Sequence, residues 1–167
     1  LYQTVTEDEI QAKLAQIDAE FDTPEPESDP VTTRLTPGDR YQAAKSAAAL
    51  DKLVEQHHLD GLAYYYEGQA GSLHRKLAET LIVGNSLLIA RGIPMCGEYD
   101  IKTCIAMLIM DRLGIGGSFA EFHPLDFKED FVLVGHDGPH HLAVAEGKPV
   151  LRSLKKYHGK PGSGASV

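Results

Sequence analysis

The chain has 167 residues, enough for one domain or for one domain and part of another. Its 24 acidic residues outnumber its 16 Lys and Arg residues, and the formal net charge is −8. This balance argues against a nucleic-acid partner, because binding to phosphate backbones depends on clustered positive charge. No apolar run approaches the roughly 20 residues that cross a bilayer, so we expect no membrane partner.

The cellular compartment is indicated by the cysteines and by the first residues. Cys96 and Cys104 are the two cysteines of the chain, and their spacing is neither that of a zinc-type CxxC pair nor one that favours a mutual disulfide. No basic stretch precedes an apolar segment at the start of the sequence, as it would in a signal peptide. These features predict a cytoplasmic protein with reduced thiols.

The first part of the chain predicts two helices. Thr6 and Glu9 have the spacing of a capping box, and apolar residues then recur at helical spacing, which predicts a helix over 7–21. The acidic, proline-rich stretch 23–37 is typical of an extended connection. An Ala-rich helix is expected over 39–57.

The next part is typical of an α/β unit. The apolar, aromatic segment 61–66 (GLAYYY) predicts a buried strand, and 67–72 predicts a loop at its carboxyl end, where such sheets commonly bind ligands. Residues 77–91 predict helix with a break at 84–85, and 93–95 predict a second strand. We therefore expect a Rossmann-like domain with a parallel sheet.

A helix capped by Asp100 is predicted to run to Leu113, and its apolar residues on nearly every side predict burial. Glycines end it, and the pattern then changes to short apolar runs separated by Gly and Pro. The predicted boundary near residue 115 divides an α/β domain (1–114) from the start of a β-rich C-terminal domain (115–167). Its strand-like runs are 118–122, 130–136, 141–145 and 149–154.

Three polar residues interrupt apolar surroundings. Glu98 stands between a strand end and the apolar helix, Glu121 interrupts SFAEF, and His136 ends FVLVG. Two carboxylates and an imidazole suit a divalent metal such as Mn²⁺. Each also has a simpler interpretation: an acid at a helix N-terminus, an outward-facing strand residue and a hydrogen-bonded core histidine.

Three segments resemble motifs of the L-arabinose isomerase family, in the family's order and nearly at its spacing. Residues 97–103 (GEYDIKT) resemble GE-x-D-x-K-T/A, 117–121 (GSFAE) resemble the end of G-x-S-F-x-E, and 135–136 (GH) resemble the family's histidine segment. The resemblance covers most of the chain from about Thr4 to Val167. It implies a soluble, homo-oligomeric sugar isomerase.

The resemblance also implies roles for individual residues. Glu98 and Glu121 would be both metal ligands and the proton-transferring pair, His136 a third ligand of Mn²⁺ or another divalent ion, and Tyr66 a contact to the sugar. The implied reaction converts an aldopentose to a ketopentose, L-arabinose to L-ribulose, through a cis-enediol. Either glutamate could carry the proton between C2 and C1.

The sequence departs from the family pattern in several places. Tyr99 stands where glycine is common, and neither the family's N-terminal domain nor its downstream histidine ligand is present, so the chain resembles an internal fragment. Alone, it is expected to show no measurable isomerisation and only weak metal binding. His140 and His141 are interpreted as residues of an exposed turn, outside the ligand set.

Two other functions remain open at this point. An L-fucose-type isomerase shares the fold and the metal requirement, and a panel of sugars would separate it from an arabinose isomerase. A non-catalytic α/β sugar-binding module would also bind at strand ends. That module predicts Glu98, Glu121 and His136 to be scattered, whereas an isomerase requires them to converge.

Overall fold

The computed structural model describes residues 1–23, 35–67 and 69–153, and the backbone of residues 163–166. These parts of the chain have a mixed α/β structure with two short 3-10 helices, Tyr2–Thr4 and Leu142–Val144. The α-helices are α1 (Glu7–Glu20), α2 (Pro37–His57), α3 (Leu73–Ala78), α4 (Ile82–Ile89) and α5 (Ile101–Arg112). The strands are β1 (Leu62–Ala63), β2 (Met95–Cys96), β3 (Glu121–Asp126), β4 (Phe131–Gly135), β5 (Val150–Ser153) and β6 (Ser163–Ser166). None of the described helices has the length and apolarity needed to span a membrane.

Both long N-terminal helices begin at a capping box. The Thr6 hydroxyl accepts a hydrogen bond from the Glu9 amide, and the Glu9 carboxylate accepts one from the Thr6 amide, which confirms the predicted start of α1. Thr36 and Asp39 form the same pair at α2. This helix therefore begins at Pro37, two residues before the predicted start. Most of the predicted connection 23–37 lies outside the described residues.

A two-stranded parallel sheet forms the centre of the α/β part. Leu62 pairs with Met95 and Ala63 with Cys96, and helices α3 and α4 connect the two strands. The predicted buried strand 61–66 was wrong in length, because Tyr65 and Tyr66 lie beyond the paired residues and are exposed. Beyond these two residue pairs, the chain enters the loops at the carboxyl ends of both strands.

The predicted helix break at Gly84 and Asn85 was also wrong. Both residues are buried inside α4, and the chain breaks instead at residues 79–81, between α3 and α4. A Cβ on Gly84 would lie 2.8 Å from the Cα of Ala47 and 2.9 Å from the Cδ1 of Leu50. Glycine here permits the close approach of α2 and α4 rather than ending a helix.

Two hydrophobic clusters share helices α2 and α4. The first includes Ile10, Ile17, Ala44, Val83 and Leu151, so a residue of β5 packs into the same core as α1. The second includes Leu50, Leu88, Met95, Cys96, Cys104, Met107 and Phe119. Both cysteines are buried and free, as expected for reduced thiols.

Helix α5 differs from its predicted environment. Its Asp100 cap is confirmed, since the carboxylate accepts a hydrogen bond from the Thr103 amide. Burial on nearly every side was wrong: Ile101, Ile105 and Ile109 are 62%, 52% and 54% exposed. Only the opposite side, which carries Cys104 and Met107, is buried among the described residues of the helix.

The last part of the described chain contains two antiparallel pairs, β3–β4 and β5–β6. Strand β3 begins at Glu121, later than the predicted strand 118–122, and 141–145 contains the 3-10 helix Leu142–Val144 rather than a strand. That 3-10 turn is stabilised locally, because the His141 ring accepts a hydrogen bond from the Ala143 amide. The predicted domain boundary near residue 115 stays a prediction.

Gly84→Ala should destabilise the fold by about 1–3 kcal/mol, since the added methyl group overlaps α2 and this overpacking outweighs the better helix propensity of alanine. Gly38→Ala is the matched control, because a Cβ there meets only Thr36 Oγ1, at 3.5 Å. Urea unfolding monitored by circular dichroism measures both variants. Equal stability of the two variants would contradict the packing role of Gly84.

Candidate metal centre

A cavity of about 330 Å³ opens where the loops after β1 and β2 meet the segment that follows β4. Tyr66 and Glu67 come from the first loop, and Gly97 and Glu98 from the second. His136 and Asp137 come from the third segment. Ligands of parallel sheets commonly bind outside the carboxyl ends of the strands, and this cavity lies there.

Glu121, His136 and Asp137 form a compact group of potential metal ligands. Each offers one ligand atom, and these three atoms lie within 4.8 Å of one another. Glu121 begins β3, opposite Gly135 at the end of β4, so the antiparallel register places it beside His136. The hairpin thus brings together residues that are 15 positions apart in the sequence.

The surroundings of His136 favour a neutral imidazole. Its Nδ1 lies 3.3 Å from the Pro139 carbonyl oxygen, which can only accept, so Nδ1 carries the proton and Nε2 keeps a lone pair. The ring packs on Phe119 with centroids 4.6 Å apart, and a Cβ at Gly138 would overlap it. Burial lowers the pKa of His136, and a neutral imidazole is the form that binds metals.

Glu98 lies in the same cavity but is not part of the compact group. Burial is the largest cause that raises its pKa above the ordinary value, followed by the negative charges of Glu121, Asp137 and Asp100. Its backbone has φ of 61°, and Tyr99 follows with φ of 56°. Two successive left-handed residues other than glycine cost on the order of 1–3 kcal/mol each, and such strain is concentrated at functional sites.

Tyr66 also lines this cavity. Burial and then the negative charge of Glu98, which lines the same cavity, raise the pKa of Tyr66. Its neighbour Tyr64 accepts a hydrogen bond from the Asn85 side chain of α4, and burial raises the pKa of Tyr64. The aromatic side of the cavity is thereby attached to the buried helix.

The structure thus brings Glu121 and His136 together, and it places Glu98 and Tyr66 on the cavity that His136 lines. Asp137 was missed from the sequence, although an acid directly after the histidine in the run GHDG was a signal that could have found it. The interpretation of His140 and His141 as residues of an exposed turn was wrong. Both are half-buried, and His140 is hydrogen-bonded to its surroundings.

The residues of the compact group fit a divalent metal ion. Two carboxylates and a neutral imidazole are the oxygen and nitrogen donors that Mn²⁺ accepts, and a cation would offset the repulsion between the two acids. Searches against protein-family models and against curated proteins found no match to the chain.

Glu121→Gln should weaken Mn²⁺ binding by at least about 10-fold, because the substitution removes a carboxylate of the compact group. Glu98→Gln should change the affinity by about threefold or less, since that charge acts on the ion from outside the group. A Mn²⁺ titration followed by paramagnetic broadening of histidine NMR signals suits the weak affinity that we expect. Equal losses in the two variants would make Glu98 an equal ligand.

Glu98→Gln should also raise the melting temperature at neutral pH, by on the order of 1 °C, because this partly exposed carboxylate loses hydration on folding and faces other acids. A folded-state pKa above the unfolded value means that the ionised form destabilises the fold. The penalty is present above the folded pKa and disappears below about pH 4, where both states are protonated. Scanning calorimetry between neutral pH and about pH 4 tests this explanation. If the variant keeps its higher melting temperature at acid pH, the gain does not come from removing the negative charge of Glu98.

Proposed function

We propose that this chain forms part of a metal-dependent aldose–ketose isomerase of the L-arabinose isomerase type. The observation that carries the proposal is the arrangement of Glu121, His136 and Asp137 around one point, with Glu98 on the same cavity. The proposal includes a Rossmann-like domain followed by a β-rich domain, a cytoplasmic location and a homo-oligomeric assembly. A sugar-binding module without chemistry has no need for Glu98, His136 and Asp137 on one cavity with Glu121 grouped beside the last two.

Glu121, His136 and Asp137 would hold the cation, for the reasons of donor type and distance given above. When bound, a divalent ion supplies a Lewis acid for neighbouring sugar oxygens and stabilises negative charge developing on them. His136 contributes a neutral ligand whose orientation is set by its bond to Pro139. The two carboxylates would balance the charge of the ion.

Proton transfer is assigned to Glu98. The raised pKa of Glu98 makes its carboxylate a stronger base than an ordinary glutamate. A general base that removes a proton from carbon works best when its pKa lies near the working pH. Glu98 would take the proton from C2 of the open-chain aldose and return it to C1, while a proton moves from O2 to O1. The cis-enediol forms between these two transfers.

The remaining lining indicates the type of substrate. Tyr66 and Phe119 offer aromatic surfaces to the carbon-bound face of a sugar, and Glu67 and Glu79 offer acceptors for its hydroxyl groups. The described lining contains no Lys or Arg, so nothing there would pair with a phosphate or carboxylate group. A neutral aldopentose fits these contacts, and L-arabinose is the proposed substrate.

An L-fucose-type isomerase is the second candidate. Isomerisation of a neutral deoxyhexose would use the metal as a Lewis acid and a carboxylate as the base in the same way. The cavity volume of about 330 Å³ accommodates either sugar. Ketose formation from L-arabinose and from L-fucose, measured side by side, separates the two. Preference for L-fucose would replace the proposed substrate but keep the reaction class.

In a full-length protein that contains this chain, Glu98→Gln and Glu121→Gln should each lower kcat by at least about 100-fold while the protein stays folded. Both substitutions keep the size of the side chain and remove a carboxylate. Glu129→Gln, in the exposed turn between β3 and β4, is the control with unchanged turnover. L-ribulose formation from L-arabinose is measured for all three, and near-normal turnover in either active-site variant would place the chemistry elsewhere.

A further inference from the structure

The turn that follows β4 is held by a set of hydrogen bonds centred on His140. The Nε2 atom of His140 lies 2.8 Å from the carbonyl oxygen of His136, and its Nδ1 lies 3.2 Å from the hydroxyl of Ser118. The two imidazole rings meet edge to face, with centroids 5.6 Å apart. His140 therefore contacts both the backbone and the ring of the candidate metal ligand.

The partners of His140 determine which of its nitrogens carries the proton. A carbonyl oxygen can only accept, so Nε2–H donates to His136. Nδ1 then keeps the lone pair and accepts from the Ser118 hydroxyl. The Ser118 oxygen in turn accepts from the amide of His141. Every donor in this set has an acceptor, and the neutral form of His140 satisfies all of them.

Two of these bonds attach the turn to other elements. The amide of His140 donates to Ser86, a fully buried residue of α4. Ser118 lies three residues before Glu121, so its bond to His140 connects the approach to β3 with the turn after β4. The backbone pairing of β3 with β4 already places Glu121 beside His136, and this network adds a second connection that holds the turn after β4.

We infer that His140 is a positioning residue, which holds the 136–140 turn so that the Pro139 carbonyl meets Nδ1 of His136 and Nε2 stays available as a metal ligand. Outer groups that orient a ligating histidine typically change metal affinity 10- to 100-fold when removed. The inference rests on the metal site of the proposed function. It adds a residue that the resemblance does not include and that would not touch the metal.

Three substitutions of His140 distinguish the role of its Nε2–H donor from that of its Nδ1 acceptor. His140→Gln keeps an N–H donor near the position of Nε2, His140→Asn keeps a group near Nδ1 only, and His140→Ala removes both. His141→Ala is the control, because its backbone amide still donates to Ser118 and only its local bond to Ala143 is lost. Each protein is titrated with Mn²⁺, and the ring nitrogen shifts of His136 are recorded in the metal-free protein at about pH 8, where histidines are neutral.

The expected result is a loss of Mn²⁺ affinity of about 10- to 100-fold in His140→Ala and His140→Asn, with values near wild type in His140→Gln and His141→Ala. The ¹⁵N shifts of His136 should show a protonated Nδ1 in wild type and His140→Gln, and a mixture of tautomers in the other two variants at position 140. If His140→Ala does not fold, the comparison of Gln with Asn still decides.

Unchanged His136 shifts in the Ala or Asn variants, or loss of affinity in the Gln and Asn variants alike, would overturn the inference. A wild-type protein that binds no Mn²⁺ contradicts the proposed metal site itself. In that case the His136 shifts still decide whether His140 controls the tautomer. The two failures are therefore distinguishable.

Discussion

Burial of helix α4 is the constraint on which the rest of the described structure depends. Residues 83–89 are all buried, which requires a helix that is apolar or small on every side. Gly84 lets α2 approach, and Leu88 joins the cluster that contains β2. Two polar side chains of α4 have partners at the site: the Asn85 amide nitrogen donates to the Tyr64 hydroxyl, and the Ser86 hydroxyl accepts from the amide of His140. The buried Oδ1 atom of Asn85 has no hydrogen-bond partner among the described residues. The same helix that fills the core therefore fixes two sides of the cavity.

The site concentrates groups that do not stabilise the fold. Glu98, Glu121 and Asp137 place like charges near one another, and this repulsion is part of what raises the pKa of Glu98. Glu98 and Tyr99 also have left-handed backbone conformations, which glycine adopts at lower cost. The capped start of α5 at Asp100 and the stacking of Tyr65 on Tyr99 hold this strained corner in place. Strain and repulsion of this kind are expected where binding or catalysis uses them.

The candidate site could be predicted only in part. Glu121 and His136 were identifiable because one interrupts an apolar run of the sequence and the other ends such a run. The register of the β3–β4 hairpin then brings the two positions together. Asp137 and His140 carried a weaker signal, since a His- and Gly-rich turn is typical of exposed loops. Their roles depend on Ser86 and Ser118, which lie 54 and 22 residues from His140 in the chain. Local patterns in one sequence cannot predict hydrogen bonds between residues that are so far apart in the chain.

The sequence by itself determined the local structure: the capping box at Thr6, the cap at Asp100, and the α/β alternation up to α5. These features depend on residues three or four positions apart, so a pattern can predict them. Only the tertiary structure decided whether a residue that suits more than one environment is buried or exposed. Glycine is a residue type that often breaks helices, but Gly84 lies inside α4 and forms the contact with α2. Isoleucine is a typical core residue, but Ile101, Ile105 and Ile109 of α5 are exposed. Burial depends on which elements pack together, and that is a property of the assembled chain rather than of a local segment.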